Sequence, residues 1–448
     1  MKVLLVSFAF PPSNVIGAVR LGKLARYLDH RGHEVRVLTT DIVEDRSLPL
    51  EISRDRVHYT EYSERQHWLE KAARLWRGRA AAPVGDRRAT PPTQGRAPAK
   101  LLRQTLRRHY LGLIQIPDRR ADWIRTAIPA GRQLIEEWMP EIMFASAPPN
   151  TGLLVASRLA RAYNIPWVAD FRDLWVDNPY YLGPGWRKPV DAVLERQILR
   201  HAAGLVTVSP VWAEQLRRRH GKAVAVAYNG YAEEDFPALA PQSDPGEILT
   251  IRYMGSIYRG FRDPSALFSA IAMLPDPLRA RVKVEFFSDA EQTLVDAAAA
   301  RRVEDAVTVK PRVPYRRALE LQMEADVLLL LQSSDRRDQG NIPAKLFEYL
   351  YARRPILFIG YEHGVAAQLV KERSAGLVSN SPVAIRDQLQ TWLEDKRAGQ
   401  LERLDPSVSL GLSREDQHAK LEQLFEEISK DRVGSAPRSP VGEKTDPD

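Results

Sequence analysis

The sequence predicts an α/β protein made of two Rossmann-like, doubly wound domains facing a central cleft. Three observations predict it. Short apolar, β-branched runs alternate with helical patterns along nearly the whole chain, the signature of parallel sheets covered by helices. The runs fall into two sets, separated by EEDFPALAPQSDPGE (233–247), a Pro- and acid-rich stretch without periodicity that marks a linker. A chain of 448 residues also exceeds one compact core and suits two domains of roughly 200 residues each.

The first set of strand candidates is KVLLVSF (2–8), EVRVLTT (34–40), EIMFAS (141–146), PWVAD (166–170), GLVTVS (204–209) and AVAVAY (223–228). The second is LTIRYMG (249–255), VKVEFFS (282–288), AVTVK (306–310), ADVLLLL (325–331), ILFIG (356–360) and GLVS (376–379). Continuous apolarity of this kind is expected of parallel strands buried on both faces. The expected domains are therefore 1–235, carrying a basic insertion at about 65–135, and 248–412. After them SREDQHAKLEQLFEEISK (413–430) predicts an amphipathic helix capped by Ser413 and packing back on the N-terminal domain. Residues 431–448 have the composition of a disordered tail.

The chain has no cysteine, which excludes disulfides, thiolate metal sites and Cys nucleophiles and fits a reducing cytosol. No apolar run approaches the roughly 18–20 residues of a membrane-spanning helix. MKVLLVSFAFPP at the N-terminus predicts a buried first strand rather than a signal peptide, because it ends in Pro-Pro without a small-residue cleavage site. A cytoplasmic location follows as an expectation.

The net charge of +8 is unevenly spread. Between residues 65 and 135 sixteen Lys and Arg face four acids, Glu70, Asp86, Asp118 and Asp122, with Trp68, Trp76, Tyr110 and Trp123 interleaved. Such a segment suits an anionic membrane surface and peripheral attachment, or is a solvated insertion; no nucleic-acid-binding motif accompanies it.

Ligands of doubly wound sheets sit at the carboxyl ends of the strands, so chemistry is sought there. After the first strand, a turn containing Gly17 leads into a helix, the geometry in which backbone N–H groups meet an anion, and Arg20 adds charge. VADFRDLW (168–175) places Asp170, Arg172 and Asp173 at another strand end, either as acid–base and hydroxyl-binding groups or as an ion-pair network. RYMGSIYRGFRD (252–263) sets Arg259 and Arg262 beyond the first strand of the second domain, where guanidinium groups suit a diphosphate. In NIPAKLFEYLYARRPILFIG (341–360), Pro343 opens a helix and Lys345 falls in its first turn, where a cation is unfavourable unless an anion is bound. Glu348 shares its face and suits ribose hydroxyls; the alternative is a solvated Lys–Glu pair. The nine His are scattered and no D-x-D stands at a strand end, so no metal site is expected.

Six stretches carry a resemblance to the family-4 glycosyltransferases. They are LLVSFAFPPSNVIGAVRLGKLARYLDHRGHEVRVLTT (4–40), PWVADFRDLW (166–175), LVTVSP (205–210), YNGY (228–231), MGSIY (254–258) and NIPAKLFEYLYARRPIL (341–357). The resemblance implies the GT-B fold and transfer of a hexosyl or N-acetylhexosaminyl group, with retention and without metal or other cofactor. It implies a nucleotide-sugar donor, a UDP-sugar foremost, and a glycan or lipid-linked acceptor in cell-surface polysaccharide synthesis. By the same resemblance Glu348 matches the second carboxylate of the family's E-x7-E pattern, which holds the ribose. Lys345, Arg259 and Arg262 resemble diphosphate ligands, and Gly17 matches a glycine-rich loop near acceptor or phosphate. The first Glu of E-x7-E falls at Gly340, so that carboxylate is missing, and its role passes to the backbone, to Asp335 or Asp338, or to nothing. A nucleotide-sugar epimerase of the same architecture, or a degenerate assembly partner, are the rival readings.

Overall fold

The computed structural model describes residues 1–42, 48–62, 109, 112–113, 115–181, 183–237, 246–257, 261–401 and 403–434. The chain divides into two compact units. The first comprises Met1–Thr207, Gln215–Ala225 and the chain from Lys420, and the second Val208–Glu214 and Val226–Ala419.

The first unit is built on a seven-stranded sheet of β1 (Lys2–Val6), β2 (Glu34–Thr40), β3 (Val57–Thr60), β4 (Ile142–Ala147), β5 (Trp167–Phe171), β6 (Gly204–Thr207) and β7 (Val224–Val226), in the order β3-β2-β1-β4-β5-β6-β7. β1 pairs in parallel with both β2 and β4, so the chain reverses its winding between β1 and β4. That reversal is the topological switch point at which such sheets open for ligands. β4 and β5 are buried at every position, as helices on both faces require. The predicted strands all form, with ends shifted by a residue or two. β3 is an addition: its four residues VHYT are only half buried at the sheet edge, beyond β2.

The second unit repeats the order with β8 (Leu249–Met254), β9 (Val282–Phe287), β10 (Val307–Lys310), β11 (Val327–Leu331), β12 (Ile356–Ile359) and β13 (Gly376–Val378), arranged β10-β9-β8-β11-β12-β13. Its switch point lies between β8 and β11. Successive side chains of a strand face opposite sides, and the two core layers follow that rule. Val327, Leu329 and Leu331 join Leu249, Ile251 and Tyr253 on one face, while Leu328 and Leu330 join Phe347 and Leu350 on the other. Tyr231 and Phe236 belong to this second layer, so the chain enters the second unit before the expected linker; residues 238–245 lie outside the described residues.

The last helix, Arg414–Gly434, starts with a reciprocal cap: the Asp416 N–H donates to Ser413 Oγ at 3.0 Å and the Ser413 hydroxyl to Asp416 at 2.6 Å. From Lys420 on it groups with the first unit, where Phe425 packs edge-on to Phe144 at 5.4 Å. Trp123 corrects one expectation. It is wholly buried and its indole N–H donates to Thr60 Oγ1 at 2.8 Å, so it is core rather than part of a basic, aromatic surface. Residues 63–108, with Trp68 and Trp76, and the tail from 435 lie outside the described residues. No described helix is long and apolar enough to cross a membrane.

Candidate functional site

In the second unit the site forms where β8 ends. The helix Ala344–Ala352 begins after Pro343, which leaves its first N–H groups without a side-chain cap. Lys345 is thereby aimed back at β8: its ammonium donates to the Met254 carbonyl and lies 4.4 Å from the centre of the Tyr253 ring. Two arginines reach the same loop. Arg262 Nη1 donates to the Ser256 carbonyl at 2.8 Å, and Arg312 Nη2 donates to Ser256 Oγ. Burial, helped by the two arginines and opposed by Glu348, pushes the Lys345 ammonium down to about 7. Arg259 lies outside the described residues.

Glu348 is turned the other way. Its carboxylate accepts from Tyr315 Oη at 3.3 Å and from Gln322 Nε2 at 3.0 Å, both on the helix Tyr315–Glu324. Burial and the neighbouring Glu348 raise the Tyr315 hydroxyl, keeping it a donor. Lys345 and Glu348 form no direct ion pair among the described residues, which removes the solvated-pair reading. A carboxylate offers about four lone-pair directions, so Glu348 can still accept from a ligand while these two donors fix its plane. Arg312, Tyr315 and Gln322 were not expected. Tyr315 and Gln322 are seven residues apart, on one helix face; nothing local links that face to Glu348.

At Gly340, where a carboxylate was expected, the indole of Trp212 closes the space: a Cβ there would overlap its Nε1 and Cδ1. Nearby carboxylates are already engaged. Asp335 accepts from the Arg337 N–H at 2.9 Å, and buried Asp338 accepts from Asn341 Nδ2 at 3.2 Å.

In the first unit Arg20, Asp170, Arg172 and Gly17 do come together. Ser146 and Asp170 are register partners on β4 and β5, and the Ser146 hydroxyl donates to Asp170 Oδ2 at 2.7 Å. Arg20 clamps both oxygens of Asp170, Nε at 3.2 Å and Nη2 at 3.1 Å. Asp170 has no exposed surface and Arg20 is buried, so this pair is the ion-pair network of the two readings. Arg172 extends it, donating from Nε to Ser146 Oγ at 3.0 Å and from Nη2 to the Pro148 carbonyl. Gly17 is the second residue of the helix Ile16–His30 rather than part of a turn. A Cβ on it would fall inside the Arg172 guanidinium, so the glycine makes room for an arginine. Asp173 is exposed. Together with Pro148, Asn150 and Trp175 it lines a cavity of about 680 Å³ within this unit.

Two sheets wound in the same order, each with charged groups gathered at its switch point, define a protein of the GT-B type. Residues 17–232 match the model of the glycosyl transferase 4-like domain. No curated protein matches the chain in sequence. Among solved structures it is similar to sucrose-phosphate synthase from Thermosynechococcus elongatus, at 15% identity and a TM-score of 0.56 over 97% of this chain and 98% of that one. It is similar to HepE from Anabaena in complex with UDP and glucose, at 12% and 0.57 over 95% and 100%. A glycosyltransferase from Rickettsia africae matches at 11% and 0.55 over 96% and 98%. At these identities the likeness is one of fold.

Proposed function

We propose that this glycosyltransferase moves a hexosyl or N-acetylhexosaminyl group from a nucleotide-sugar, a UDP-sugar foremost, to a glycan or lipid-linked acceptor of cell-surface polysaccharide synthesis. The observation that carries the donor half is the convergence of Lys345, Arg262 and Arg312 on residues 254–256, at an uncapped helix N-terminus. Burial with Arg262 and Arg312, the latter paired with Asp289 at 2.6 Å, disfavours the charged form of Lys345, and a diphosphate favours it. As the glycosidic bond breaks, negative charge grows on the leaving diphosphate, and preoriented cations with helix N–H groups stabilise it most at that point. Lys345, Arg262 and Arg259 are the proposed diphosphate ligands and Glu348 the ribose acceptor. The transfer is read as retaining, with the donor phosphate helping to deprotonate the acceptor, and as independent of metal.

In the first unit the acceptor is assigned to the cavity lined by Asp173, Asn150 and Trp175. Asp170 and Arg20 act as positioning residues that, through Ser146, hold Arg172 over Gly17. The protein is placed at the cytoplasmic face of a membrane, with the basic segment 65–135 toward anionic lipid. The test is a thermal-shift screen against UDP-, GDP- and ADP-sugars, followed by labelled-donor turnover with and without a lipid-linked glycan in the presence of EDTA. A rise in melting point with UDP-sugars and label transferred to the acceptor are expected. Conversion of the donor without an acceptor would instead establish the epimerase.

A further inference from the structure

The helix Arg187–Leu199 of the first unit has a solvent face with an unusual make-up. Trp186, Pro189, Val190 and Val193 are all exposed, and at 100° per residue they form one stripe. Val193 is 58% exposed and Val190 42%. The other exposed side chains from 186 to 200 are Lys188, Arg196, Gln197 and Arg200. Both acids of the helix are buried and occupied: Asp191 by Arg187 and the Tyr181 hydroxyl, Glu195 by His220 and the Val176 N–H. Arg200 and Gln197 fall within the stripe and Arg196 at its edge, while Lys188 lies on the far side of the helix, so the stripe is apolar and cationic without a carboxylate.

The apolar surface continues beyond the helix. The Trp186 indole donates to His109 Nδ1 at 2.7 Å, with the two rings nearly parallel. Gly112 lies so close to Pro184 and Trp186 that a Cβ would press on both, and its neighbour Leu113 is 61% exposed. Pro184, Arg187 and Asp191 also wall the 680 Å³ cavity.

We infer that this face, Trp186, Val190, Val193 and Leu113 with Arg196 and Arg200, docks on an anionic lipid bilayer. An indole with aliphatic side chains suits the headgroup boundary, and cations in the stripe and at its edge suit anionic headgroups. A second copy of the same face fits poorly, since an isologous contact would bring like charges together. The inference rests on the membrane part of the function proposed above and assigns that contact to a described surface rather than to the basic segment. It also sets the bilayer beside the cavity, as a lipid-linked acceptor requires.

The test is co-sedimentation of the full chain with vesicles of phosphatidylcholine alone or with about a third phosphatidylglycerol, at low and high salt. Wild type is expected to bind the anionic vesicles and release them at high salt. Val190→Glu/Val193→Glu should weaken binding by about tenfold or more, with unchanged melting and UDP affinity. Arg196→Glu/Arg200→Glu should do the same and lose the salt response. If both variants bind as wild type does, this surface is wrong while the membrane reading stands. If wild type binds no vesicle, both fail. Dimerisation that Val190→Glu/Val193→Glu abolishes, without lipid binding, would make a second copy the occupant and overturn the inference.

Discussion

The Lys345 ammonium occupies the space that a side chain on Gly255 would need. Gly255 has φ +144°, a Cβ there would collide with Lys345 Nζ, and the carbonyl just before it, on Met254, holds that ammonium. The glycine is therefore a condition for the cationic loop. Gly255→Ala is expected to cost about 1–3 kcal/mol of stability from backbone strain alone and to displace Lys345. Calorimetry should show UDP affinity lost with it. In Gly255→Ala/Lys345→Ala the steric part of the penalty disappears and the affinity stays low; a double variant no more stable than the single would contradict the collision.

Lys345→Ala and Glu348→Ala should each weaken UDP binding by about tenfold or more, as expected for a lost charge-assisted contact of roughly 1.5–3 kcal/mol. Circular dichroism melts should stay close to wild type for Lys345→Ala. Glu348→Gln tests the hydroxyl-binding role more finely, because Tyr315 and Gln322 retain an oxygen acceptor. Nucleotide affinity unchanged in both alanine variants would dismiss the donor site.

The pH response follows from the same lysine. With its pKa near 7, free Lys345 is largely neutral at pH 8, and a bound diphosphate raises the pKa. Binding then takes up a proton, so affinity should fall above pH 7, by up to about tenfold per unit. Calorimetry in buffers of different ionisation enthalpy reads that proton directly. Lys345→Arg should flatten the profile, since arginine stays charged. For stability the sign is opposite: between about 7 and 10.5 the unfolded chain holds the proton that the fold resists. This group's contribution to stability therefore increases with pH across that window.

Asp170 and Asp173 are close in sequence and should behave differently. Asp170→Ala leaves Arg20 buried and unbalanced, which typically costs about 3–5 kcal/mol, read as a fall in melting point. Asp173→Ala removes an exposed carboxylate at the cavity and should leave melting intact while reducing transfer, chiefly through the acceptor KM. Equal melting of the two variants would refute the division of roles.

Gly340 and Trp212 form a second filled gap. Gly340→Ala should destabilise the protein by about 1–3 kcal/mol through overpacking against the indole, and Gly340→Glu by more. Trp212→Leu should make Gly340→Ala less damaging than it is beside tryptophan. Urea unfolding of the four species as a double-mutant cycle measures that coupling.

The strands were legible because a buried parallel strand is a run of apolar residues, and twelve such runs stand in the sequence. β3 escaped because an edge strand of four half-buried residues carries no such run. The residue types of the candidate site were legible as candidates, since Lys345 in a first helical turn is anomalous without an anion. Its partners were not. The donors that orient Glu348 come from a helix 26 and 33 residues away in sequence, and Arg312 reaches Ser256 across 56 residues.

By itself the sequence determined two α/β units, the strand ends at which chemistry would collect, and the missing carboxylate at position 340. These are local quantities: apolar periodicity, capping and charge in a first turn are written in neighbouring residues. Only the tertiary structure decided which charges are consumed. Arg20 and Asp170 stand 150 residues apart and neutralise each other inside the first unit, while Lys345, three residues from Glu348, turns away to Met254. Burial sets the balance between desolvation and pairing for each charge, and burial depends on contacts among distant segments that no stretch of sequence contains.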